Sequence, residues 1–535
     1  MFDTLIKDGL LYRGDGNTPI LADVGIQGDT IVSIAPNLNI HANRIINASG
    51  KCVCPGFIDI HSHSELTLMM NPQGQSKLLQ GVTTEVVGNC GLTAFPLVPG
   101  RRESLAFIDV PGLVWDWQDT DTYLERLRRV NPALNIAQLA GHGGIRAAVM
   151  GYDNRTATTM ELAQMQYILA DMFEKGIFGL STGLGYAPDF YSNEDELCAL
   201  AEVVKSFDRV FSIHVRGERK TLFKAVAEAI NISRRTGANV EISHLKCSDA
   251  MNIGLMPELL KLFDQAAEEG LPVNFDHYPY TAGCAYLGLV FPPWAHEGGM
   301  ASLLQRLADP PIRHRLEMDM MDGSGEWSSF LASFQGRNLL IADANCPDKA
   351  KWIGKRLSEI AKEMSCSVAC AACELMLEAE GKVDMVMFQQ DETDLEAAMR
   401  HPMGMFASDG FAMDLGKKIR KGTPHPRSFG TFPRVISRYV RERNVLSLEE
   451  AIRRMTSAPA SKMRLRDRGL LEYGYKADIV VFDYQKIKDN ATYENPFQYP
   501  SGIDWVLVNG ELAKSPQSIT GNFGGKLLLR KEEVK

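Results

Sequence analysis

Apolar runs of a few residues alternate with amphipathic stretches through the middle of this 535-residue chain. Helical periodicity fills several of the intervals, at 161–175, 194–206, 222–236 and 257–269. The runs that fit strands are 57–60, 84–88, 135–140, 178–181, 211–213, 240–243, 273–275 and 405–407. Alternating strands and helices are typical of an α/β protein with a parallel sheet, and eight such strands predict a (β/α)8 barrel over residues 57–469. Its active site is expected at the carboxyl ends of the strands.

The two chain ends have a different pattern. Short β-type runs separated by turns such as Gly14-Asp-Gly16 occupy residues 1–56, and similar runs return at 476–483 and 503–510. Short strands with Gly and Asn between them indicate a small β domain. Both ends are therefore expected to build one β-sandwich, from residues 1–56 plus 470–535.

A long interval separates the seventh and eighth apolar runs. It extends from residue 275 to residue 405, which is more than one helix can fill, so the pattern predicts an insertion at about 284–400. The first part of this interval, 284–294, is unusually apolar and follows the end of a strand. It is expected either to cover the active site as a lid or pocket wall, or to pack away from any ligand.

Charge and composition restrict the class of partner. The net charge is −9, with 45% hydrophobic and 23% charged residues, and no long basic run is present. This balance argues against nucleic acid or an anionic membrane as the main partner and favours a small-molecule substrate.

The sequence also predicts a cytoplasmic protein. No stretch approaches the ~18 apolar residues of a membrane span, and the first residues lack the pattern of a signal peptide. The ten cysteines are therefore expected to be reduced. Cys366, Cys370 and Cys373 have helical spacing in an Ala-rich segment, which favours a buried helix face over a zinc site.

Side chains that bind metals follow several of the predicted strands. These are His61 and His63 after the first strand, Cys90 after the second, His214 after the fifth, His244 after the sixth and Asp409 after the eighth. Imidazole, thiolate and carboxylate are the ligands that divalent zinc prefers. Because a barrel brings its strand ends together, the sequence predicts a metal site at this edge.

Several motifs then resemble a known family. The run 53–63, which ends in His61-Ser-His63, and the run 476–482 resemble the amidohydrolase superfamily of metal-dependent barrels. Further motifs at 88–91, 179–184, 243–246, 278–282 and 425–434 resemble the N-acyl-D-amino-acid deacylases, or D-aminoacylases. The resemblance covers nearly the whole chain. It implies hydrolysis of the amide bond of N-acyl-D-amino acids, with the choice of the D form resting on the resemblance alone.

The resemblance also implies a ligand set. Many relatives hold two metals with a carboxylated lysine from the fourth strand, but the fourth predicted strand here is not followed by a lysine, and Cys90 takes its place. Cys90, His214 and His244 are then expected to bind one zinc ion tightly. His61 and His63, with Cys90 as a bridge, offer a second and weaker site. A nearby metal deprotonates a thiol, which makes the cysteine a strong ligand.

Asp409 has a separate expected role. Zinc lowers the pKa of bound water to about 7, and a carboxylate nearby can take the proton of that water and deliver it to the leaving amine. His277 lacks a supporting motif, so a packing role is expected. For His142, a structural hydrogen bond and a catalytic role explain the sequence equally well.

The substrate expectation comes from three residues and one segment. Lys246 lies two residues after His244 and on the same side of its strand, so it is expected to hold a substrate carboxylate. Tyr278 and Arg427 match positions that contact this carboxylate in the family. Residues 283–295 contain neither Arg nor Lys, so this apolar wall favours a hydrophobic side chain or acyl group.

Two other functions remain open at this point. One is a different amidohydrolase activity, such as that of a dipeptidase or of a cyclic amidase of the hydantoinase or dihydroorotase kind. Those cyclic amidases usually keep the lysine, so Cys90 as a ligand counts against them. The other is a structural protein that has lost its metal, although none of the expected ligands is missing from this sequence.

Overall fold

The computed structural model describes residues 1–323, 327–346, 349–416, 419 and 422–530. In chain order the strands of these residues are β1 (Phe2–Leu11), β2 (Ile20–Gln27), β3 (Thr30–Ala35), β4 (Ala42–Asn47), β5 (Cys52–Pro55), β6 (Phe57–Asp59), β7 (Val82–Val87), β8 (Asn135–Gly141), β9 (Gly179–Gly183), β10 (Val210–His214), β11 (Asn239–Ile242), β12 (Val273–His277), β13 (Ala282–Tyr286), β14 (Leu339–Ala344), β15 (Val383–Phe388), β16 (Gly404–Phe406), β17 (Ile479–Phe482), β18 (Ile503–Val508), β19 (Glu511–Lys514) and β20 (Leu527–Leu528).

The α-helices of the same residues are α1 (Glu65–Met70), α2 (Gln75–Leu78), α3 (Arg101–Ser104), α4 (Thr120–Arg129), α5 (His142–Met150), α6 (Thr159–Glu174), α7 (Glu194–Ser206), α8 (Leu222–Thr236), α9 (Met256–Glu268), α10 (Met300–Ala308), α11 (Pro310–Asp322), α12 (Lys349–Trp352), α13 (Leu357–Glu363), α14 (Val368–Glu378), α15 (Glu392–Arg400), α16 (Arg427–Arg434), α17 (Leu448–Met455) and α18 (Ser457–Lys462). Short 3-10 turns lie at Asp189–Tyr191, Leu287–Val290 and Pro293–His296, and a π-helical segment at Val435–Glu442 continues α16.

Eight parallel strands form the centre of the molecule and confirm the predicted barrel. They lie in the order β6-β7-β8-β9-β10-β11-β12-β16, with β20 paired to β8. Two backbone hydrogen bonds link the first strand to the last at the carboxyl edge. The amide of Asp409 donates to the carbonyl of His61 at 2.8 Å, and the amide of His63 donates to the carbonyl of Gly410 at 2.9 Å. Barrel closure therefore fixes the backbone of three candidate site residues.

Local sequence explains why the barrel elements form where they do. The strands are buried on both faces, as in parallel sheets covered by helices. Helix α6 begins at a capping box of Thr158 and Glu161, and the Asn193 side chain caps α7. The four predicted helices correspond to α6, α7, α8 and α9, with ends that agree within two residues.

Strands from both chain ends share one eight-stranded sheet. Its order is β19-β18-β17-β5-β1-β2-β3, with β4 beside β1. Strand β5 joins the two halves, because it pairs with β1 in parallel and with β17 in antiparallel, where Cys52 lies opposite Phe482. Buried Ile6, Val24 and Ile479 belong to one apolar cluster. The expected β unit built from both ends is thus present, while the domain limits drawn from the sequence stay predictions.

The insertion lies between β12 and β16. It contains an antiparallel sheet of β13, β15 and β14 together with α10 to α14, and it has an apolar cluster of its own. Cys370 and Cys373 lie on α14, as the spacing predicted, but of the three cysteines only Cys373 is buried, because Cys370 lies at the partly exposed side of the helix and Cys366 precedes it. Because β13 starts five residues after β12 ends, the insertion rises directly from the carboxyl edge of the barrel.

Within the described part of the chain, the helices all fall short of the length and apolar character that a bilayer crossing needs.

Candidate active site

The carboxyl edge of the barrel brings the predicted ligands together. Ligand atoms of His61, Cys90 and His244 lie within 4.8 Å of one another, and so do those of His61, His63 and Asp409. Cys90 occupies the middle, with its Sγ 3.4 Å from His61 Nε2 and 3.5 Å from His244 Nε2. All five side chains are buried.

His214 approaches this group through His244. Its Nδ1 lies 2.8 Å from His244 Nε2. The ligand atoms of His214, His244 and Glu218 form a third group within 4.8 Å of one another. The family resemblance implied that Cys90, His214 and His244 bind one ion. The structure places Cys90 as close to His61 as to His244, and it places Asp409 beside the His61 and His63 pair.

The donor set fits a divalent metal. A tetrahedral zinc site with bonds of about 2.3 Å to sulfur and about 2.0–2.1 Å to nitrogen has sulfur to nitrogen separations of about 3.5 Å. The two distances from Cys90 Sγ agree with this value. Imidazoles, a thiol and a carboxylate are also the groups that zinc selects. The residues present therefore suit a zinc ion.

Burial keeps two of the imidazoles neutral, which is the form that binds metals. It lowers the pKa of His214 to about 4 and, together with the charge of Lys246, holds the pKa of His244 well below its usual range. His61 differs, since Asp276 and Cys90 outweigh burial and raise its pKa well above the usual range. Burial raises the pKa of the Cys90 thiol, and the charge of His61 opposes this effect.

Three of these residues have a left-handed backbone. The φ angles are 55° at Cys90, 36° at His244 and 49° at Asp409. This region is uncommon for residues other than glycine, and such strain concentrates at functional sites. The turn after each strand points the side chain over the barrel mouth.

Asp409 is held ionised at the centre of the site. Burial raises its pKa, but Arg427 and His63 outweigh burial and the pKa lies well below the usual range. Arg427 Nη1 donates to Asp409 Oδ2 at 2.6 Å, and His63 Nε2 lies 3.1 Å from Asp409 Oδ1. The carboxylate is therefore available as a proton acceptor.

Of the three residues expected to contact a substrate carboxylate, Lys246 and Tyr278 line the cavity, and Arg427 lies behind Tyr278. Lys246 Nζ donates to Glu218 Oε1 at 2.5 Å and lies 2.8 Å from His244 Nδ1. The Arg427 guanidinium is 5.1 Å from the centre of the Tyr278 ring. Lys246 and Tyr278 line the cavity next to His244 and Asp409.

Two carboxylates in the site were not assigned from the sequence. Asp276 Oδ2 lies 3.1 Å from His61 Nδ1, and its Oδ1 accepts the His244 amide at 2.9 Å. A carboxylate behind one ring nitrogen orients the other nitrogen toward a metal, so Asp276 positions His61. Its place directly after the seventh predicted strand is a signal that could have found it. Glu218 follows a strand by four residues, and no pattern in the sequence marks it.

Two further histidines considered from the sequence, His142 and His277, lie outside the ligand set. His142 has its Nδ1 2.9 Å from Thr182 Oγ1 and its Nε2 2.9 Å from Glu196 Oε1. Both ring nitrogens of His142 are therefore engaged by neighbouring side chains, which agrees with a structural role. His277 is buried against Phe406, with ring centres 4.9 Å apart, in agreement with a packing role.

The cavity above the ligands spans about 1350 Å³, a volume that includes space open to solvent. The insertion supplies an apolar wall from Ala285, Tyr286, Leu289 and Phe291. The expectation that residues 284–294 form a pocket wall therefore agrees with the geometry. The loop after β10 adds the charged side chains of Arg216, Glu218 and Arg219 to the lining of the cavity, outside the segment 283–295.

Fold and site together define a metal-dependent hydrolase barrel, and the Amidohydrolase family matches residues 44–319 and 386–513. The chain belongs to this family. It is 33% identical to the N-acyl-D-glutamate deacylase of Alcaligenes xylosoxydans xylosoxydans over 99% of this chain and 97% of that protein. It is 31% identical to the D-aminoacylase of the same organism over 99% of this chain and 98% of that protein.

Among solved structures, the chain resembles the N-acyl-D-glutamate deacylase of Bordetella bronchiseptica, which was crystallised with zinc and a phosphonate inhibitor. The TM-score is 0.83 at 31% identity, over 99% of both chains. The similarity thus includes the barrel, the insertion and the sheet formed by the chain ends.

Proposed function

We propose that this protein is a metal-dependent hydrolase that cleaves the amide bond of N-acyl-D-amino acids to a carboxylate and a free D-amino acid. One observation carries this proposal: Cys90, His61, His244 and Asp409 converge at the barrel mouth in a chain that resembles such deacylases along its whole length.

We propose zinc as the metal, held tightly by Cys90, His214 and His244, with a weaker second site at His61 and His63. When bound, zinc polarises the scissile carbonyl and makes water more acidic. Because Cys90 contacts both His61 and His244, its thiolate would be available as a ligand to either site.

Asp409 is the proposed proton carrier. Its carboxylate accepts a proton from the attacking water and returns it to the nitrogen of the leaving amino acid. Arg427 and His63 fix the two carboxylate oxygens, so the group is oriented before substrate arrives.

The substrate is held by its α-carboxylate. Lys246 and Tyr278 are the proposed contacts, with Arg427 close to both Tyr278 and Asp409. A cation and a hydroxyl are suitable donors for a carboxylate. The apolar wall from the insertion then contacts the hydrophobic part of the substrate.

The test is a hydrolysis assay with matched enantiomers. Purified protein should contain zinc and should release carboxylate from N-acetyl-D-amino acids but not from the corresponding L compounds. Metal content is measured by mass spectrometry, and the assay is repeated after chelation and after zinc is restored. Absence of metal together with no hydrolysis of either enantiomer would refute the proposal, and turnover of cyclic amides instead would favour a cyclic amidase.

A further inference from the structure

Arg219 is a buried cation on the charged wall of the cavity. It follows β10 by five residues and is 6% exposed, yet it lines the same cavity as His214 and Asp409. Its guanidinium carbon lies 3.2 Å from the centre of the Phe330 ring, which the insertion supplies. The loop after β10 and the insertion thus hold this cation between them.

The charge of Arg219 is only weakly neutralised. Among the described residues, its ion pair is with Asp249, and the closest atoms are 3.8 Å apart, too far for a hydrogen bond. The neighbouring carboxylate, Glu218, is engaged by Lys246. Arg216 provides a contrast, because it pairs with Glu228 at 2.9 Å and also donates to two backbone carbonyls. Burial lowers the pKa of Arg219 to about 10, so it remains charged at neutral pH.

A second donor lies beside Arg219 without a partner. Arg219 Nη2 donates to Gln389 Oε1 at 3.1 Å, which leaves the amide nitrogen of Gln389 as a donor. This nitrogen is buried and has no hydrogen-bond partner among the described residues. A methyl group added to Gly283, which lines the cavity, would lie 3.5 Å from it. The donor therefore lies directly behind the cavity wall at Gly283, next to the Tyr278 hydroxyl, which the same methyl group would meet at 3.0 Å.

We propose that Arg219, together with the Gln389 amide, binds a second carboxylate of the substrate, in addition to the α-carboxylate. A guanidinium with an adjacent amide donor matches the two oxygens of a carboxylate. The apolar wall of Tyr286 and Leu289 then contacts the methylene groups that precede this carboxylate. The second carboxylate belongs either to an acidic D-amino acid side chain or to a dicarboxylic acyl group, and the inference rests on the proposed deacylase function.

The test compares ligands that differ in this one group. N-acetyl-D-glutamate carries the carboxylate on its side chain, N-succinyl-D-leucine carries it on the acyl group, and N-acetyl-D-leucine lacks it. Hydrolysis is measured as kcat/KM. Binding is measured separately by calorimetry in the Asp409→Asn background, so that turnover does not consume the ligand. Each measurement is made with Arg219→Met, with Arg219→Lys and with the matched control Lys220→Met, an exposed lysine of the same loop.

At least one dicarboxylate should bind 10-fold or more tightly than N-acetyl-D-leucine, and the ligand that does so identifies the source of the carboxylate. Arg219→Met should abolish this preference, Arg219→Lys should keep part of it, and Lys220→Met should keep all of it. Equal binding of the three ligands, or a preference that survives in Arg219→Met, would overturn the inference. If the binding preference is found without hydrolysis of any ligand, the deacylase proposal fails while the carboxylate site stands.

Discussion

At the scale of single residues, Asp409 connects the proposed metal site with the proposed substrate site. One carboxylate oxygen lies near His63 and the other accepts from Arg427, so a single side chain links a candidate ligand to a candidate substrate contact. Its burial together with a strongly lowered pKa is typical of catalytic groups. Removing the charge is therefore expected to affect the chemistry more than the fold.

The Asp409→Asn variant should lose turnover and keep its metal. An amide cannot accept the proton, and positioned general bases contribute about 10²–10⁴-fold to rates, so kcat should fall by about that factor. Zinc at Cys90, His214 and His244 should be retained, as measured by mass spectrometry on the purified variant. Circular dichroism checks the fold. Activity close to that of the wild type would remove Asp409 as the proton carrier.

At the scale of elements, a buried hydrogen-bond network ties the barrel to two of its helices. His142 starts α5, Thr182 lies on β9, and Glu196 lies in the first turn of α7. Burial lowers the pKa of His142, but Asp189 and Glu196 outweigh burial and raise it to about 9. Protonation of this histidine therefore stabilises the junction.

This network predicts a pH-dependent contribution to stability. Because the pKa of His142 is higher in the folded state than the usual value of about 6.5, its contribution is complete below pH 6.5 and is lost as the pH rises through 9. The free energy of unfolding of the wild type, relative to His142→Gln, should fall by on the order of 3 kcal/mol between pH 6 and pH 10. Urea unfolding of both proteins at several pH values measures this difference in the free energy of unfolding.

The matched control is His314→Gln, a substitution at an exposed histidine outside this network. A constant difference for His142→Gln across the same range would contradict a charged His142.

At the scale of the whole molecule, the sheet from the chain ends packs against the barrel. Phe482 on β17 is fully buried and lies opposite Cys52 of β5. It also belongs to the same apolar cluster as Phe57 of the first barrel strand. The last part of the chain is thus built into the core that supports the site.

Phe482→Ala should therefore destabilise the barrel as well as the sheet. Truncation of a buried Phe costs about 3–5 kcal/mol, and chemical unfolding should show the loss as a lower midpoint. The midpoint followed by activity should move together with the one followed by circular dichroism. Tyr473→Ala, at a side chain that is 75% exposed, is the control and should change little. Unchanged stability in Phe482→Ala would show that the sheet folds independently of the site.

Periodicity and residue type were enough to predict the eight barrel strands, the four helices between them and the inventory of candidate ligands. Strand and helix periodicity is a local property, and a metal ligand after an apolar run is visible without knowledge of neighbours, so His61, Cys90, His244 and Asp409 could be found. The apolar wall of the insertion could be anticipated for the same reason. The deacylase motifs added the expected role of each ligand.

Only the tertiary structure decided which of these groups touch. Barrel closure set Cys90 between His61 and His244 and brought Asp276 behind His61. It also placed Arg219 against the Phe330 ring of the insertion. These two residues are far apart in the sequence, so the pattern of either segment alone does not predict the contact. The physical reason is that contacts between elements depend on strand order, closure and side-chain direction, whereas sequence patterns report only the periodicity of each element.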